Sequence, residues 1–387
     1  MITDPVAVLV VLAAVVYGAV VLEERYHGAR SLGAAFLGIM GGMLLSNAGV
    51  LPGESATYRF LVGPGVSVGI ALILFSVDVR TVMQAGPRMV GAFGIGAVGT
   101  AAGAIAGGLM WSGLVGPETW KLSGQFAGTY TGGGVNFAAL GEAFETSGDL
   151  FTAGIAADVI ITAVWMAACL AAPVLLGRWN PEAGAAGSTS TPTGDGHPER
   201  SDGLHRTLYA SARSMKLTDV AALVVLGIGT VWGAGRLGGL LPGVPQVLWL
   251  TTLALLLAQV PAVKRLTGAA VVGNYLVLLF LASNGARSVI ANIFEVGPGV
   301  FYFAMTTVAV HGVVIFVVGR LAGLDFGTLA VASQANVGGA GSAIAMATAR
   351  GYRDRLLPGV AVGLFGYALG NYWGYFIGQL ARSLLGG

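Results

Sequence analysis

The chain has 387 residues, of which 55% are hydrophobic and only 10% charged, with a formal net charge of +2. A soluble domain carries roughly a quarter charged residues, so this composition, with a mean hydropathy of +0.79, excludes a water-soluble class and implies an all-α membrane protein in a lipid bilayer. No basic patch with interleaved aromatics is present, so no nucleic-acid partner is expected. The one cysteine, Cys169, excludes an internal disulfide and a multi-cysteine metal site.

Apolar segments long enough to cross a bilayer, about 17–25 residues, fall at 5–22, 31–48, 61–79 and 88–112. The first lacks a basic n-region and reads as a span rather than a cleaved signal. A glycine-rich polar segment follows at 123–141, then a span at 150–177. From Arg178 to Lys216 the chain turns polar, with GAAGSTSTPTGDGHPER at its centre, a composition that cannot bury a core. Spans return at 217–235, 246–262, 268–285 and 299–321, then a second glycine segment at 328–347 and a last span at 356–380. The expected organisation is a first membrane repeat, 1–177, a cytoplasmic flexible linker, 178–216, and a second membrane repeat, 217–387.

The halves match at one offset. Phe75 and Phe280, Gly133 and Gly338, Gly154 and Gly359, and Ala156 and Ala361 are all 205 residues apart, which argues for an internal repeat. If both glycine segments enter the membrane and return, fifteen of the twenty Lys and Arg fall on one face. If both cross, the split is nine against eleven. Cytoplasmic loops are enriched in these residues, so hairpins are favoured, with both termini outside and the linker in the cytoplasm. Five crossings per half then make the repeats inverted, as many secondary transporters require.

The glycine segments are GTYTGGGVNFAAL, 128–140, and SQANVGGAGSAIA, 333–345. Non-helical backbone at membrane depth is tolerated only where protein buries it or a cavity borders it. Paired, glycine-broken polar segments in corresponding halves are the best sequence pointer to a transporter's binding site. Thr129, Thr131, Gly132, Gly133, Gly134 and Asn136 in the first, and Ser333, Gln334, Asn336, Gly338, Gly339 and Ser342 in the second, are candidate substrate contacts. Backbone N–H groups there could hold a carboxylate, and loosened carbonyls could ligate Na⁺. Alternatively, these groups only satisfy broken backbone. Asn371, in GYALGNYWG, joins the candidates as an amide buried in a span.

Asp158 is the one carboxylate well inside an expected span. A charge at the bilayer centre costs at least about 2.5–3.5 kcal/mol, so it marks a function or a pairing. As a function it would bind a coupling cation with Thr131 and Asn136; as a structure it would meet a helix end or hydroxyl. Asp78 lies near a span end, where Arg80 is its expected partner, and His311, which could relay protons, reads rather as a satisfied structural histidine. The Arg350, Arg353 and Arg355 cluster reads as a topology determinant. No GxxxxGK[ST] loop, HExxH or triad is present, so neither an enzyme nor an ATP-driven pump is expected.

GTYTGGGVNF with GIAADVIIT, and ASQANVGGAGSAIAMATARGY with GLFGYALGNYWG, resemble the YjcL-like bacterial permeases, domain of unknown function 819. That resemblance implies the cation:proton antiporter and anion transporter superfamily, with the sodium/glutamate, citrate and bile-acid symporters. It also implies five crossings plus a hairpin per repeat, an elevator-type core moving against a dimeric scaffold, and a bacterial inner-membrane location. Gly133, Gly134 and Asn136 resemble one GGxG tip, and Gly338, Gly339 and Gly341 the other. Paired Asn-Asp or Asp-Asp of the antiporters is absent, since Ala157 precedes Asp158, and Arg287 is the nearest substitute for a carboxylate-clamping arginine. The leading expectation is a Na⁺- or H⁺-coupled transporter of a small carboxylate, amino acid or short peptide. The alternatives are a Na⁺/H⁺ antiporter using Asp158, and a channel or membrane-embedded regulator without coupled transport. No cofactor beyond the possible coupling Na⁺ is expected.

Overall fold

The structure, a computed structural model, describes residues 2–78, 80, 83, 85–175, 215–241 and 244–385. The linker expected at 178–216 lies, apart from Met215 and Lys216, outside the described residues. All regular structure among the described residues is helical, as the composition implied.

The first half contains α1 (Pro5–Arg25), α2 (His27–Asn47), α3 (Ala56–Leu74), α4 (Gly86–Val115), α5 (Thr119–Gly132), α6 (Gly134–Ala143) and α7 (Gly148–Leu175). The second contains α8 (Leu217–Leu240), α9 (Gln246–Ala258), α10 (Ala269–Ala286), α11 (Ile290–Leu321), α12 (Phe326–Val337), α13 (Gly339–Ala349) and α14 (Arg353–Leu385). Local chemistry sets several ends. Asp4 accepts the Ala7 N–H ahead of Pro5 at the start of α1, and Asp325 accepts the Thr328 N–H at the start of α12. Among the described residues, seven helices are long and apolar enough to cross a membrane. From α4 onward, the boundaries of α4 to α7 recur about 205 residues later in α11 to α14, the spacing already visible in the sequence.

Neither glycine segment forms a span. At 1.5 Å per residue, α5 and α6 reach only about 21 and 15 Å, against about 30 Å of hydrocarbon. Each pair doubles back instead. In the first, Lys121 Nζ donates to the Glu145 carbonyl (2.9 Å), Gln125 to the Phe137 carbonyl (3.2 Å) and Asn136 to the Gly128 carbonyl (3.4 Å). In the second, Val331 and Ala343 both face Gly359, and Asp325 before α12 pairs with Arg355 after α13 at 3.0 Å.

The helices sort into two groups. α1, α2, α3, α8, α9 and α10 pack among themselves, as do α4 to α7 with α11 to α14, and contacts between the groups are sparse. Within the second group α4 and α11 run antiparallel at glycine distance, with Gly99, Gly103 and Gly107 against Val314, Thr307 and Phe303. α14 carries glycines at 359, 363, 366, 370, 374 and 378, one stripe of its surface. Gly359 and Gly363 lie on the second hairpin, and Gly366, Gly370 and Gly374 meet Gly132, Gly128 and Gly124 of the first. Removal of side chains lets backbones approach closely, which is how helices associate in lipid.

Two expectations are refined. Asp78 pairs with Lys264 Nζ at 2.8 Å and takes only a backbone N–H from the expected partner, Arg80. The fold brings the turn before α10 to it. Arg355 does more than set charge bias: it holds Asp325 and donates to Thr328 Oγ1 (3.2 Å), fastening the base of the second hairpin.

Candidate functional site

The hairpins approach from opposite ends of α4. Ser123, near the base of the first, lies by Gly108, while Phe326 and Leu329 of the second pack with Met89. Their tips meet halfway, where Gly96 faces Asn336 and Thr100 Oγ1 donates to the Tyr130 carbonyl (2.9 Å). Gly133, at φ +92°, and Gly339, at φ +71°, make the two turns in a region that disfavours side chains. The turns touch: a methyl built on Gly133 would stand 3.7 Å from the Gly339 Cα. The N-termini of α6 and α13 therefore face each other, each with the positive end of its dipole and unpaired N–H groups. The carbonyl ends of α5 and α12 lie beside them.

Buried polar atoms without a hydrogen-bond partner gather at these tips. They are Thr129 Oγ1, the Tyr130 hydroxyl, Thr131 Oγ1, Asn136 Oδ1, Asn336 Oδ1 and both amide atoms of Gln334. Each such group costs about 1–3 kcal/mol when left unpaired, so a cluster of them is characteristic of a binding site rather than of packing. Asn136 and Asn336 are positioned by their other ends. Asn136 Nδ2 donates to Gly366 O (3.2 Å), and Asn336 Nδ2 to Phe93 O (3.2 Å) and Ala332 O (3.0 Å). The free oxygens are hard donors of the kind alkali and alkaline-earth cations take.

Asp158 stands between the tips. Thr162, one turn on, donates to its Oδ1 at 3.3 Å and also lies against Gly338. The Tyr130 phenol is next to the carboxylate, short of a well-formed hydrogen bond. Further along α7, Cys169 borders Gln334 and Ser333. Ser342 is half-buried with its hydroxyl over Gly338. Asn371 is placed elsewhere: it faces α9, donating to Thr251 Oγ1 (3.0 Å), beside a Tyr372–Thr252 hydroxyl pair at 2.6 Å.

His311 joins both tips. Its Nδ1 lies 2.9 Å from the Gly96 carbonyl and 3.0 Å from Thr100 Oγ1; its Nε2 lies 2.9 Å from Ser333 Oγ. The Gly96 carbonyl can only accept, and Thr100 spends its proton on Tyr130, so Nδ1 carries the hydrogen. Ser333 Oγ accepts from Trp165 Nε1 (2.9 Å) and donates to Nε2. A neutral imidazole satisfies the whole chain, which runs from α7 through the second tip and His311 to the first.

The chain matches the model of "Protein of unknown function (DUF819)" over residues 7–384. It belongs to that family. It is also 30% identical over 377 residues to the "Uncharacterized membrane protein YjcL" of Bacillus subtilis (strain 168), covering 94% of this chain and 93% of that one. The family resemblance read from the paired glycine motifs thus holds over nearly the full length.

In this DUF819 protein, wide openings lie at opposite ends of α3. One, about 590 Å³, is lined by Glu54, Arg59, Glu142, Glu145 and Arg287 at the open end of the first hairpin. Arg287 thus borders an approach rather than the tips. The other, about 410 Å³, includes Ser76, Asp78, Lys264 and Thr267. Residues that sequence reading missed are Tyr367, Trp165 and Thr100. The α14 glycine stripe was a readable signal for the surface that Tyr367 shares; Trp165 and Thr100 had none.

Proposed function

We propose that this DUF819 protein is a cation-coupled secondary active transporter of a small organic solute, bound where the hairpin tips meet. The observation that carries this reading is the cluster of buried, partnerless polar atoms at two touching helix breaks. Apolar membrane cores do not keep such groups unpaired without a use. The facing N-termini of α6 and α13 favour an anionic group, which points to a carboxylate, amino acid or short peptide. Asp158 would take the coupling Na⁺, with Thr131 and Asn136 as its further proposed ligands, or Asp158 alone a proton.

On this reading ten helices cross the membrane and the two hairpins re-enter from opposite faces, as inverted repeats. The α4–α7 and α11–α14 group is the moving core, and the remaining helices are the scaffold of an elevator, dimeric in a bacterial inner membrane with both termini outside. The sparse contacts between the groups and the steric closeness within the core support it.

The test is thermal stability of the purified protein against carboxylates, amino acids and dipeptides, with and without Na⁺. A solute at 100 times its dissociation constant adds about 2.7 kcal/mol. A shift that needs both solute and cation, and is lost in Asp158→Asn while the variant remains folded, is expected. Full gradient-driven uptake by Asp158→Asn would overturn the assignment of the cation site. A response to Na⁺ or pH with no response to any solute would favour cation exchange instead.

A further inference from the structure

A cavity of about 40 Å³ lies beside the first tip, on the boundary between the two helix groups. Ser76 and Asn274 come to it from the scaffold side, at the end of α3 and on α10; Val135 and Tyr367 come from the core side, on α6 and α14. Ser76 and Ala270 also line the wide opening at the Asp78–Lys264 end, so the two spaces adjoin. The Ser76 hydroxyl, the Asn274 amide and the Tyr367 phenol have no hydrogen-bond partner among the described residues. Tyr372, little more than a turn beyond Tyr367, does have one in Thr252. No charged residue lines the cavity.

Tyr367 connects this cavity to the tips. A methyl built on Gly133 would stand 3.4 Å from its Cε1, and one on Gly339 3.5 Å from its hydroxyl. Its ring therefore lies against both glycine turns and shares the lining of the cavity with Asn274 and Ser76. At about 40 Å³ the cavity is about a tenth of the opening at the Asp78–Lys264 end, the size of a side pocket for one group of a solute.

We propose that Ser76, Asn274 and Tyr367 form a specificity subsite for one uncharged hydrogen-bonding group of the solute, a hydroxyl, amide or peptide carbonyl. The solute's charged group would be held at the α6 and α13 N-termini. This rests on the transport reading above and narrows its solute class. Hydroxy acids, carboxamide amino acids and dipeptides fit; dicarboxylates do not, because a second charge would enter a neutral pocket unpaired. A site that hydrogen-bonds a substrate group rejects the analogue lacking it.

The experiment compares matched pairs by titration calorimetry in Na⁺: lactate with propionate, glutamine with glutamate, and glycylglycine with 5-aminovalerate. Wild type is expected to favour the first member of at least one pair by about tenfold, the worth of one net hydrogen bond to a polar group. Asn274→Leu and Tyr367→Phe should reduce that preference to within about twofold while Na⁺-dependent binding persists. Ser76→Ala, at an exposed position beyond the helix, should do so in part and guards against misfolding of the other two. Binding in wild type with no preference in any pair, or a preference unchanged in all three variants, overturns the subsite and leaves the transport reading standing. No binding of any pair member by wild type overturns both.

Discussion

The His311 chain makes a quantitative demand on stability. His311→Phe keeps a planar ring against Trp165, whose centroid is 6.1 Å away, but removes the bonds to Gly96 and Thr100 at one nitrogen and to Ser333 at the other. Each net hydrogen bond is worth about 1 kcal/mol, and a buried partner left unpaired adds about 1–3 kcal/mol. Ser333 keeps its bond from Trp165, so the penalty falls mainly on Gly96 and Thr100. The expected cost of His311→Phe is about 2–3 kcal/mol, and of Ser333→Ala about 1–2 kcal/mol. The double variant should cost less than the sum, by about 1 kcal/mol, because the 2.9 Å bond between them is removed only once. Equilibrium unfolding of all four proteins in mixed detergent micelles, followed by circular dichroism, measures the cycle. Additivity within about 0.5 kcal/mol, the behaviour of uncoupled sites, would refute the chain as drawn.

Steric closeness gives a second expectation: Gly132→Ala places a methyl on the Gly366 backbone and should destabilise by about 1–3 kcal/mol, whereas Gly113→Ala, which meets open space, should be neutral or slightly stabilising in the same unfolding assay. At the base of the second hairpin, burial alone would raise the Asp325 carboxyl, but hydrogen bonds from the Thr328 side chain and backbone and the Arg355 charge outweigh it and hold it below the usual range. A value depressed on folding contributes stability above the unfolded carboxylate value of about 3.9, and that contribution is lost as pH falls through the lower folded value; hydrogen exchange should therefore rise in 326–337 on acidification to that range, and Asp325→Asn should show the loss already at neutral pH. Across the boundary between helix groups, Thr252→Val or Tyr372→Phe removes a hydroxyl pair at 2.6 Å; if the core slides on the scaffold, uptake of any transported solute should speed up or slow down by several fold with each, and an unchanged rate in both would argue that this seam does not move.

How much of this was readable from the chain varies with the range of the interaction. The two broken segments were legible because glycine, threonine and asparagine stand out in apolar surroundings, and Gly133 and Gly339 do make the turns. Asp158 was legible for the same reason, and Thr162, its bonded neighbour, lies one helical turn away. The partner of Asp78 was not, because nearness in sequence favours Arg80 whereas the turn before α10 delivers Lys264 from 186 positions away. Asn371 shows the limit of polarity as a signal. An amide in a span demands a partner, but its face follows from a rotation of about 100° past Gly370, which lies on the first hairpin while Asn371 meets α9.

His311 carries the lesson furthest. As a sequence feature it is a lone histidine in TTVAVHGVVIF, and a satisfied structural role was the natural expectation. The structure agrees that it is satisfied, yet its partners are Gly96 and Thr100 on α4 and Ser333 at the second tip, and through Thr100 the first tip. The Ser333 bond to Trp165 closes the chain onto α7, the helix that carries Asp158. A change in the occupancy of Asp158 that moved α7 would therefore pull on Ser333, and displacement of Ser333 would remove the hydroxyl that donates to His311 Nε2. On the proposed reading structural satisfaction and functional coupling are compatible: a paired polar chain is the kind of contiguous element through which a cation at Asp158 would bias both tips.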